Sequence, residues 1–172
     1  MGLVVVKALF FFISIIAVII GDQWTKLLIL NHFEYGESLV MIRNFFSLTY
    51  VRNTGAAFGF MAAANPSFRI PFFLIVPIIA MVVLGFLYRD LPPNAKWRAT
   101  ALGLVSGGAI GNLIDRIRLG YVVDFLDFHW KSAYSFPAFN VADSSICVGV
   151  AILLLSTLTK KEKRLEAVSS ES

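Results

Sequence analysis

Cysteine and histidine are scarce in this chain of 172 residues, which contains one cysteine and two histidines. A single cysteine, Cys147, excludes an internal disulfide and any metal cluster built from cysteines. The isolated His32 and His129 make a zinc site improbable, because zinc in proteins is held mainly by several cysteine and histidine side chains. The sequence therefore predicts no metal and no cofactor.

Charged residues are also few, at 15% of the chain, with a net charge of +4. The basic residues fall in short groups between and after apolar runs, and they form no basic helix and no module of alternating basic and aromatic residues. This pattern argues against nucleic acid as a partner. It is typical of basic residues that set the orientation of a membrane protein.

Hydrophobic residues, in contrast, make up 58% of the chain, and the mean hydropathy is +0.76. A soluble core of this size could not bury so much apolar surface, so an integral membrane protein is predicted, with one domain over residues 1–172. Four apolar segments approach the roughly 20 residues that a membrane-spanning helix needs. They cover residues 4–20, 70–88, 99–114 and 142–158, and they predict a mainly α-helical protein with four transmembrane helices.

The basic groups predict the orientation of these spans. Residues 89–98 contain three basic residues, and the tail of residues 159–172 contains Lys160-Lys-Glu-Lys-Arg164. Because lysine and arginine accumulate in cytoplasmic segments, the connector 89–98, the tail and both termini are predicted to be cytoplasmic. No cleavage site of small residues follows the first apolar segment, so we interpret it as a retained helix rather than a signal peptide.

The long loop of residues 22–69 then lies on the outer side of the membrane. Residues 38–52 are rich in β-branched and aromatic residues with partial alternation, which predicts a small β-rich subdomain between the first two helices. The small residues of the segment 53–59 would let a neighbouring helix or an extended peptide approach the backbone closely.

The third span has two distinct faces. One face predicts close helix packing, because glycines recur every four residues at Gly103, Gly107 and Gly111. A second face carries Gly108, Asn112, Asp115 and Arg116. Asn112 is expected to form hydrogen bonds, and Asp115 is expected to pair with an arginine. For Asp115 and Arg116 the sequence leaves two interpretations open: a structural ion pair at the helix end, or a functional role.

Another pair of charges lies at the end of the first span. Asp22 and Lys26 are spaced i and i+4 with the acid first, which favours an ion pair on one helix face. We interpret this pair as a clamp that orients the site rather than as a catalyst.

Two further aspartates, Asp124 and Asp143, stand beside apolar segments, where a carboxylate is costly to keep. Asp143 falls in the first turn of the fourth span, with Asn140 as the expected N-cap, so helix capping alone could explain it. If residues 120–140 fold back, however, Asp124 meets Asp143. Two neighbouring carboxyls do not both ionise readily, so they would share one proton near neutral pH.

Such a pair suits peptide hydrolysis. The ionised carboxylate takes a proton from water, and the protonated carboxyl stabilises the developing oxyanion. Asp127 is a weaker candidate because it lies in an amphipathic interfacial stretch. Ser144 and Ser145 lack an evident base to activate them and are interpreted as hydroxyls at a helix start.

Two other classes of protein remain open on physical grounds. Acids with polar partners inside a membrane also occur in proton-coupled transporters. A conduction path needs polar residues through the membrane depth, however, and the cytoplasmic halves of the four spans have almost none. A non-catalytic membrane scaffold would explain the glycine face but would leave Asp124, Asp143 and Asn112 without a role.

Five motifs together resemble the bacterial lipoprotein signal peptidases, also called signal peptidase II, over about residues 5–158. They are Asp22-Gln-Trp-Thr-Lys26, Asn53-Thr-Gly-Ala-Ala-Phe-Gly59, Gly107-Gly-Ala-Ile-Gly-Asn-Leu-Ile-Asp-Arg116, Val122-Val-Asp-Phe125 and Phe139-Asn-Val-Ala-Asp143. Each motif alone is weak, but the five in this order are highly specific.

The resemblance implies an aspartyl endopeptidase of the bacterial plasma (inner) membrane. Its substrates would be prolipoproteins that carry diacylglycerol on a cysteine, cut before that cysteine near the outer leaflet, with membrane lipid and substrate as the partners of a monomer. Asp124 and Asp143 would be the catalytic dyad. Residues that hold the dyad or bind the substrate would be Asp22, Lys26, Asn53, Gly108, Asn112, Arg116 and Asn140.

Overall fold

Helices dominate the fold of the chain. The computed structural model describes residues 2–55, 61, 64–130 and 134–170, with side chains up to residue 159. The helices in this part are α1 (Gly2–His32), α2 (Pro66–Arg89), α3 (Lys96–Leu119) and α4 (Val141–Ser170). Each of the four predicted spans lies inside one of these helices.

Three helical segments in the described part of the chain are long and apolar enough to cross a membrane. They are Gly2–His32, Pro66–Arg89 and Val141–Thr159. The apolar side chains of these helices point outward, as at Ile16, Ile79 and Leu154, which are 55%, 58% and 61% exposed. Helix α3 does not reach the same hydropathy, and it lies against α1 and α4 instead.

All four helices are longer than the predicted spans, and two of them, α1 and α2, extend into the predicted outer loop. Helix α1 continues to His32, so residues 22–32 belong to a helix and not to the predicted outer loop. Helix α2 begins at Pro66, where the Asn65 side chain accepts a hydrogen bond from the Ser67 amide at 2.9 Å. Proline is favoured at the first helical position, which explains the early start. The segment between the helices therefore covers residues 33–65.

A four-stranded antiparallel sheet lies at one end of the helices. Its strands, in spatial order, are β1 (Ser38–Ile42), β2 (Phe46–Asn53), β3 (Val122–Trp130) and β4 (Tyr134–Ser135). The predicted β-rich segment supplies only β1 and β2. The other two strands come from residues 120–140, which were expected to form a returning loop. The sheet thus joins two parts of the chain that are far apart in sequence.

The register between β2 and β3 positions the functional residues. Val51 lies opposite Asp124, and Asn53 lies opposite Val122, after a β-bulge between Leu48 and Val51. A bulge shifts the side chains that follow it. As a result the end of β2 brings Asn53 next to the start of β3, close to Asp124.

The predicted glycine face of α3 packs against α1. A Cβ added at Gly103 would lie 2.8 Å from the Ser14 Cβ, and one at Gly107 would lie 2.8 Å from the Val18 Cβ. Contacts this short do not occur between real side chains, so only glycine permits this helix spacing. Close packing of α3 against α1 brings the polar ends of both helices together.

Candidate active site

Asp124 occupies the middle of the sheet and is only 1% exposed. Its Oδ2 accepts a hydrogen bond from the Asn53 side chain at 2.9 Å, and its Oδ1 accepts one from the Asn140 side chain at 2.7 Å. Strand pairing places Asn53 there, and the start of α4 supplies Asn140. Both carboxyl oxygens of Asp124 are therefore held by amide donors.

Asp143 lies in the first turn of α4 and is partly exposed. Its Oδ1 accepts a hydrogen bond from the Asn112 side chain at 2.8 Å, and its Oδ2 accepts one from the Asn140 amide at 3.3 Å. In return, the Asp143 amide donates to the Asn140 side chain at 2.9 Å. This reciprocal arrangement is a capping box, so the capping expected of Asn140 and Asp143 is present.

Asn140 connects the two aspartates. It is fully buried, and its side-chain amide also donates to the side-chain oxygen of Asn112 at 3.1 Å and to the backbone oxygen of Val123 at 3.3 Å. One asparagine thus contacts β3, α3 and α4. The aspartate pair, Asp124 and Asp143, is brought to one site by residues of four different elements.

The environment raises the pKa of Asp124 to about 7. Burial is the main cause, because a carboxylate loses the solvation of water, and the negative charge of Asp143 adds to it. The hydrogen bonds from Asn53 and Asn140 and the charge of Lys26 act in the opposite direction. At neutral pH the site can therefore hold one protonated and one ionised carboxyl.

A second cluster of charges, the Lys26 cluster, lies directly behind the aspartate pair. The Lys26 Nζ lies 2.8 Å from the Asp22 Oδ2, 2.9 Å from the Asp115 Oδ2 and 2.9 Å from the side-chain oxygen of Asn112. All three charged groups are buried. The predicted ion pair between Asp22 and Lys26 is confirmed.

Each acid of the Lys26 cluster also holds the backbone beside one aspartate of the pair. The Ala142 amide, next to Asp143, donates to Asp22 at 2.9 Å. The Val123 amide, next to Asp124, donates to Asp115 at 3.0 Å. Buried carboxylates need such donors and a counter-charge. The Lys26 cluster therefore holds the backbone next to Asp124 and next to Asp143 in place.

The expected pairing of Asp115 with an arginine is wrong. Asp115 binds Lys26, while Arg116 donates to the backbone oxygens of Gly55 at 3.2 Å and Asn112 at 3.4 Å. Adjacent residues on a helix point about 100° apart, so they reach different neighbours. The Arg116 guanidinium also lies 5.0 Å from the centre of the Phe73 ring. It interacts electrostatically with Asp143, Asp124 and Asp115, but it forms no ion pair with Asp115 within the described residues.

Gly108 has a packing role. A Cβ at this position would lie 2.7 Å from the Ile146 Cγ1 and would collide with the Ala142 backbone oxygen. The absence of a side chain lets α3 approach the turn of α4 that carries Asp143. Gly108 makes no polar contact through a side chain and acts on the site through this spacing.

Asn53 also orders the backbone that follows β2, since its side-chain oxygen accepts a hydrogen bond from the Gly55 amide at 3.0 Å. The predicted close approach of a helix or peptide to the segment 53–59 falls largely on residues 56–59, which lie outside the described part of the chain.

Gln23 was missed by sequence reasoning. Its side-chain nitrogen donates to Asp115 at 3.0 Å, to Asp22 at 3.2 Å and to the Gly111 backbone oxygen at 3.2 Å. The available signal was its place next to Asp22, at a point where an apolar helix turns polar. Gln23 supplements Lys26 in satisfying the two buried carboxylates.

Asp127 faces away from the aspartate pair. It accepts a hydrogen bond from the Thr49 hydroxyl at 3.0 Å, and the His129 ring nitrogen lies 3.7 Å from it. Strand alternation explains this, because residues three apart on a strand point to opposite faces. Within the described residues, no group of three histidine, cysteine, aspartate or glutamate side chains is arranged to hold a metal.

Comparison with known proteins adds the family context. The sequence profile of a family described as Signal peptidase (SPase) II matches residues 14–159. The lipoprotein signal peptidase of Syntrophotalea carbinolica is 54% identical over 139 residues, which cover 81% of this chain and 84% of the relative. That of Geobacter sulfurreducens is 47% identical over 152 residues, covering 86% and 93%.

The fold has solved counterparts as well. A bacterial membrane enzyme determined by the in meso method at 2.3 Å resolution gives a TM-score of 0.78 at 34% identity, with 88% of each chain covered. A second such structure, at 1.9 Å resolution, gives a TM-score of 0.75 at 33% identity, covering 85% of this chain and 90% of the other.

Proposed function

The chain belongs to the signal peptidase II family, and we propose that Asp124 and Asp143 are the acid and base with which it hydrolyses its substrate. The protein is a membrane protease that removes signal peptides from lipoprotein precursors. The observation that carries the mechanism is the buried, shared site of the two aspartates, in which the pKa of Asp124 rises to about 7. The transporter and scaffold alternatives fall away because the family consists of proteases.

Asp143 is the better base and Asp124 the better acid. Asp143 is partly exposed and lies in the first turn of α4, where the helix dipole favours a negative charge. Asp124 is buried, and its raised pKa keeps it protonated up to about pH 7. In the proposed working state the pair holds one proton, on Asp124, and Asp143 carries the negative charge.

The reaction then proceeds without a covalent intermediate. Asp143 takes a proton from water as the water oxygen attacks the scissile carbonyl carbon, and Asp124 donates its proton to the carbonyl oxygen. Asp143 next gives its proton to the leaving nitrogen as the carbon–nitrogen bond breaks. The new carboxyl group forms as a hydroxyl of the intermediate returns a proton to Asp124, which restores the starting state.

We further propose that the substrate carries a diacylglyceryl group on its cysteine and is cut before that cysteine. An apolar surface further along β3 from Asp124 supports this. Phe128 is four residues from Asp124, on the same side of β3, and its ring stacks on Phe46 at 4.7 Å and on Phe139 at 5.7 Å between ring centres. Such a surface suits lipid chains or the apolar residues of a signal peptide.

The proposed membrane arrangement has four spans, with both termini on the cytoplasmic side of the plasma membrane. Helix α3 has 24 residues, or about 36 Å, which is long enough to cross a bilayer core of about 30 Å. The basic residues of the connector after α2 and of the tail support the orientation. The aspartate pair then lies near the outer leaflet. Since every residue that holds the pair comes from one chain, a monomer suffices.

The decisive experiment is cleavage of a diacylglyceryl-modified prolipoprotein by the purified protein in detergent without added metal. Asp124→Asn and Asp143→Asn should each lower kcat by about a thousandfold, because each removes one proton-transfer group. Asp127→Asn is the matched control, since Asp127 lies on the same strand but faces Thr49, and it should retain activity. Cleavage that persists in either variant of the pair, at equal folding, would contradict the mechanism.

A further inference from the structure

An open groove lies at the end of the helices opposite the aspartate pair. It has a volume of about 400 Å³ and is bordered by the connector between α2 and α3, by the start of α3 with Lys96, Trp97 and Arg98, and by Ser156 and Thr159 of α4. The 16 residues from Lys96 to Asn112 place it about 24 Å from the site along α3. The groove and the active site are therefore separate.

The connector that forms one wall of the groove is held in place. The Lys7 ammonium, from α1, donates to the backbone oxygens of Leu91 at 2.9 Å and Tyr88 at 3.3 Å. The Tyr88 ring stacks on Phe11 with 4.2 Å between ring centres. These contacts tie the last turn of α2 and the following residues to α1, so the groove has a defined shape.

The charge of the groove is positive. Lys96 and Arg98 form no ion pair with any acid among the described residues. None of the residues that line the groove is acidic. The first turn of α3 has no side-chain cap at Ala95. Beyond Thr159, α4 continues with the basic sequence Lys160-Lys-Glu-Lys-Arg164. Lys96 and Arg98 therefore give the groove two positive charges that no acid of the described residues pairs with.

Its aromatic residue indicates the depth at which the groove lies. Trp97 is 67% exposed, and the Lys96 ammonium lies 5.7 Å from the centre of its ring. Tryptophan favours the boundary between lipid chains and headgroups. A basic groove between helix ends at this depth matches the headgroup of an anionic lipid better than a soluble anion, because the lipid's chains can lie along the apolar surfaces of the helices.

We propose that this groove binds the phosphate headgroup of an anionic phospholipid. Lys96 and Arg98 contact the phosphate, Trp97 lies at the glycerol level, and the hydroxyls of Ser156 and Thr159 face the same space from α4. A lipid in this position bridges α3 and α4, the two helices that carry Asn112 and Asp143. The proposal rests on membrane insertion and not on the aspartyl mechanism.

The test measures lipid binding to the full-length protein in detergent by native mass spectrometry, at about 0.15 M salt to screen weak surface contacts. Phosphatidylglycerol and cardiolipin are compared with phosphatidylcholine, and inorganic phosphate is added as a competitor. Anionic lipid should bind, phosphatidylcholine should not, and inorganic phosphate at equal concentration should not displace the lipid. Displacement by inorganic phosphate would overturn the lipid assignment.

The variants locate the binding. Lys96→Gln and Arg98→Gln should each weaken binding about fivefold and together about 30-fold, because each basic residue near an anionic headgroup contributes about this much. Arg43→Gln, an exposed arginine between β1 and β2 at the other end of the fold, is the charge-matched control and should change nothing. Glutamine keeps the helix propensity of lysine and arginine.

Two results would overturn the proposal. One is equal weakening by Arg43→Gln, which would indicate a general charge effect. The other is full binding in the Lys96→Gln/Arg98→Gln protein with loss only when the basic residues at 160–164 are replaced, which would assign the lipid to the tail. As a folding control, the Lys96→Gln/Arg98→Gln protein should still cleave peptide in phosphatidylcholine. Loss of lipid binding with cleavage retained then concerns the groove alone and not the proposed aspartyl mechanism.

Discussion

At the scale of single residues, the protonation of Asp124 controls the proposed chemistry. Its carboxyl is buried next to Asp143, and its pKa rises to about 7 from an ordinary value of 3.8. A raised pKa means that the group keeps its proton at higher pH, so Asp124 is protonated below about pH 7 and ionised above it. Only the protonated form can serve as the acid.

The rate of cleavage should follow this protonation. We expect kcat/KM to fall on the alkaline side with a midpoint near pH 7, by about tenfold per pH unit beyond it. The measurement is a profile of kcat/KM from roughly pH 5 to pH 9 at constant ionic strength. Asp127→Asn should keep the same profile, since Asp127 is outside the pair. A profile that stays flat through the alkaline range would show that the reaction does not need the proton on Asp124.

At the scale of elements, the spacing of α3 and α4 determines where Asp143 stands. Gly108 faces the Ala142 backbone oxygen and Ile146, and the space there cannot hold a Cβ. Asn112, one turn further along α3, reaches Asp143 only because the two helices approach so closely. Helix spacing and catalytic geometry therefore depend on the same glycine.

Gly108→Ala should destabilise the protein by about 1–3 kcal/mol, as expected when a methyl group is forced into a packed interface. It should also lower kcat, because separating α3 from α4 lengthens the hydrogen bond between Asn112 and Asp143. Thermal unfolding in detergent and the cleavage assay report the two effects. Gly85→Ala, in α2, is the control: nothing lies within 4 Å of a Cβ there, so stability should be equal or higher. Equal behaviour of the two variants would contradict the packing role of Gly108.

The strands show the limit of local patterns. Residues 38–52 contain the expected strands because their β-branched and aromatic residues favour the extended conformation locally. Residues 122–130 form the strand that carries Asp124, although sequence reasoning expected a returning loop there. This strand exists because β2, about 70 residues earlier in the chain, pairs with it. The partner and the register of such a long-range pairing cannot be predicted from either segment alone.

At the scale of the whole molecule, the orientation in the membrane determines on which side cleavage occurs. The sheet and the aspartate pair lie at one end of the helices, and the basic connector lies at the other. In the proposed arrangement of four spans with both termini in the cytoplasm, the turn between β1 and β2 would face outward and the connector would face the cytoplasm.

Cysteine labelling can test this orientation, because the chain has a single cysteine. In a Cys147→Ser background, Arg43→Cys should react with a membrane-impermeant maleimide in right-side-out vesicles. Asn94→Cys, in the connector, should react only after the membrane is permeabilised. The opposite pattern would invert the proposed orientation. Reaction of both positions before permeabilisation would contradict the number of spans.

The class of the protein, its four helices, the ion pair of Asp22 with Lys26 and the capping of α4 by Asn140 could all be predicted from the sequence. These features depend on composition and on residues at most four apart, so local spacing is enough to predict them. The candidate residues could also be identified, because polar groups beside apolar spans are costly and rarely lack a role.

The contacts among those residues, in contrast, depend on the three-dimensional fold. Asp115 binds Lys26 rather than an arginine, Gln23 joins the same cluster, and Asn140 contacts both aspartates. The contacts of Asp115 with Lys26, of Gln23 with Asp115 and of Asn140 with Asp124 join separate parts of the fold. They therefore depend on helix spacing and strand register. Burial of Asp124 between those elements raises its pKa. That burial comes from packing across the whole fold, which no local stretch of sequence specifies.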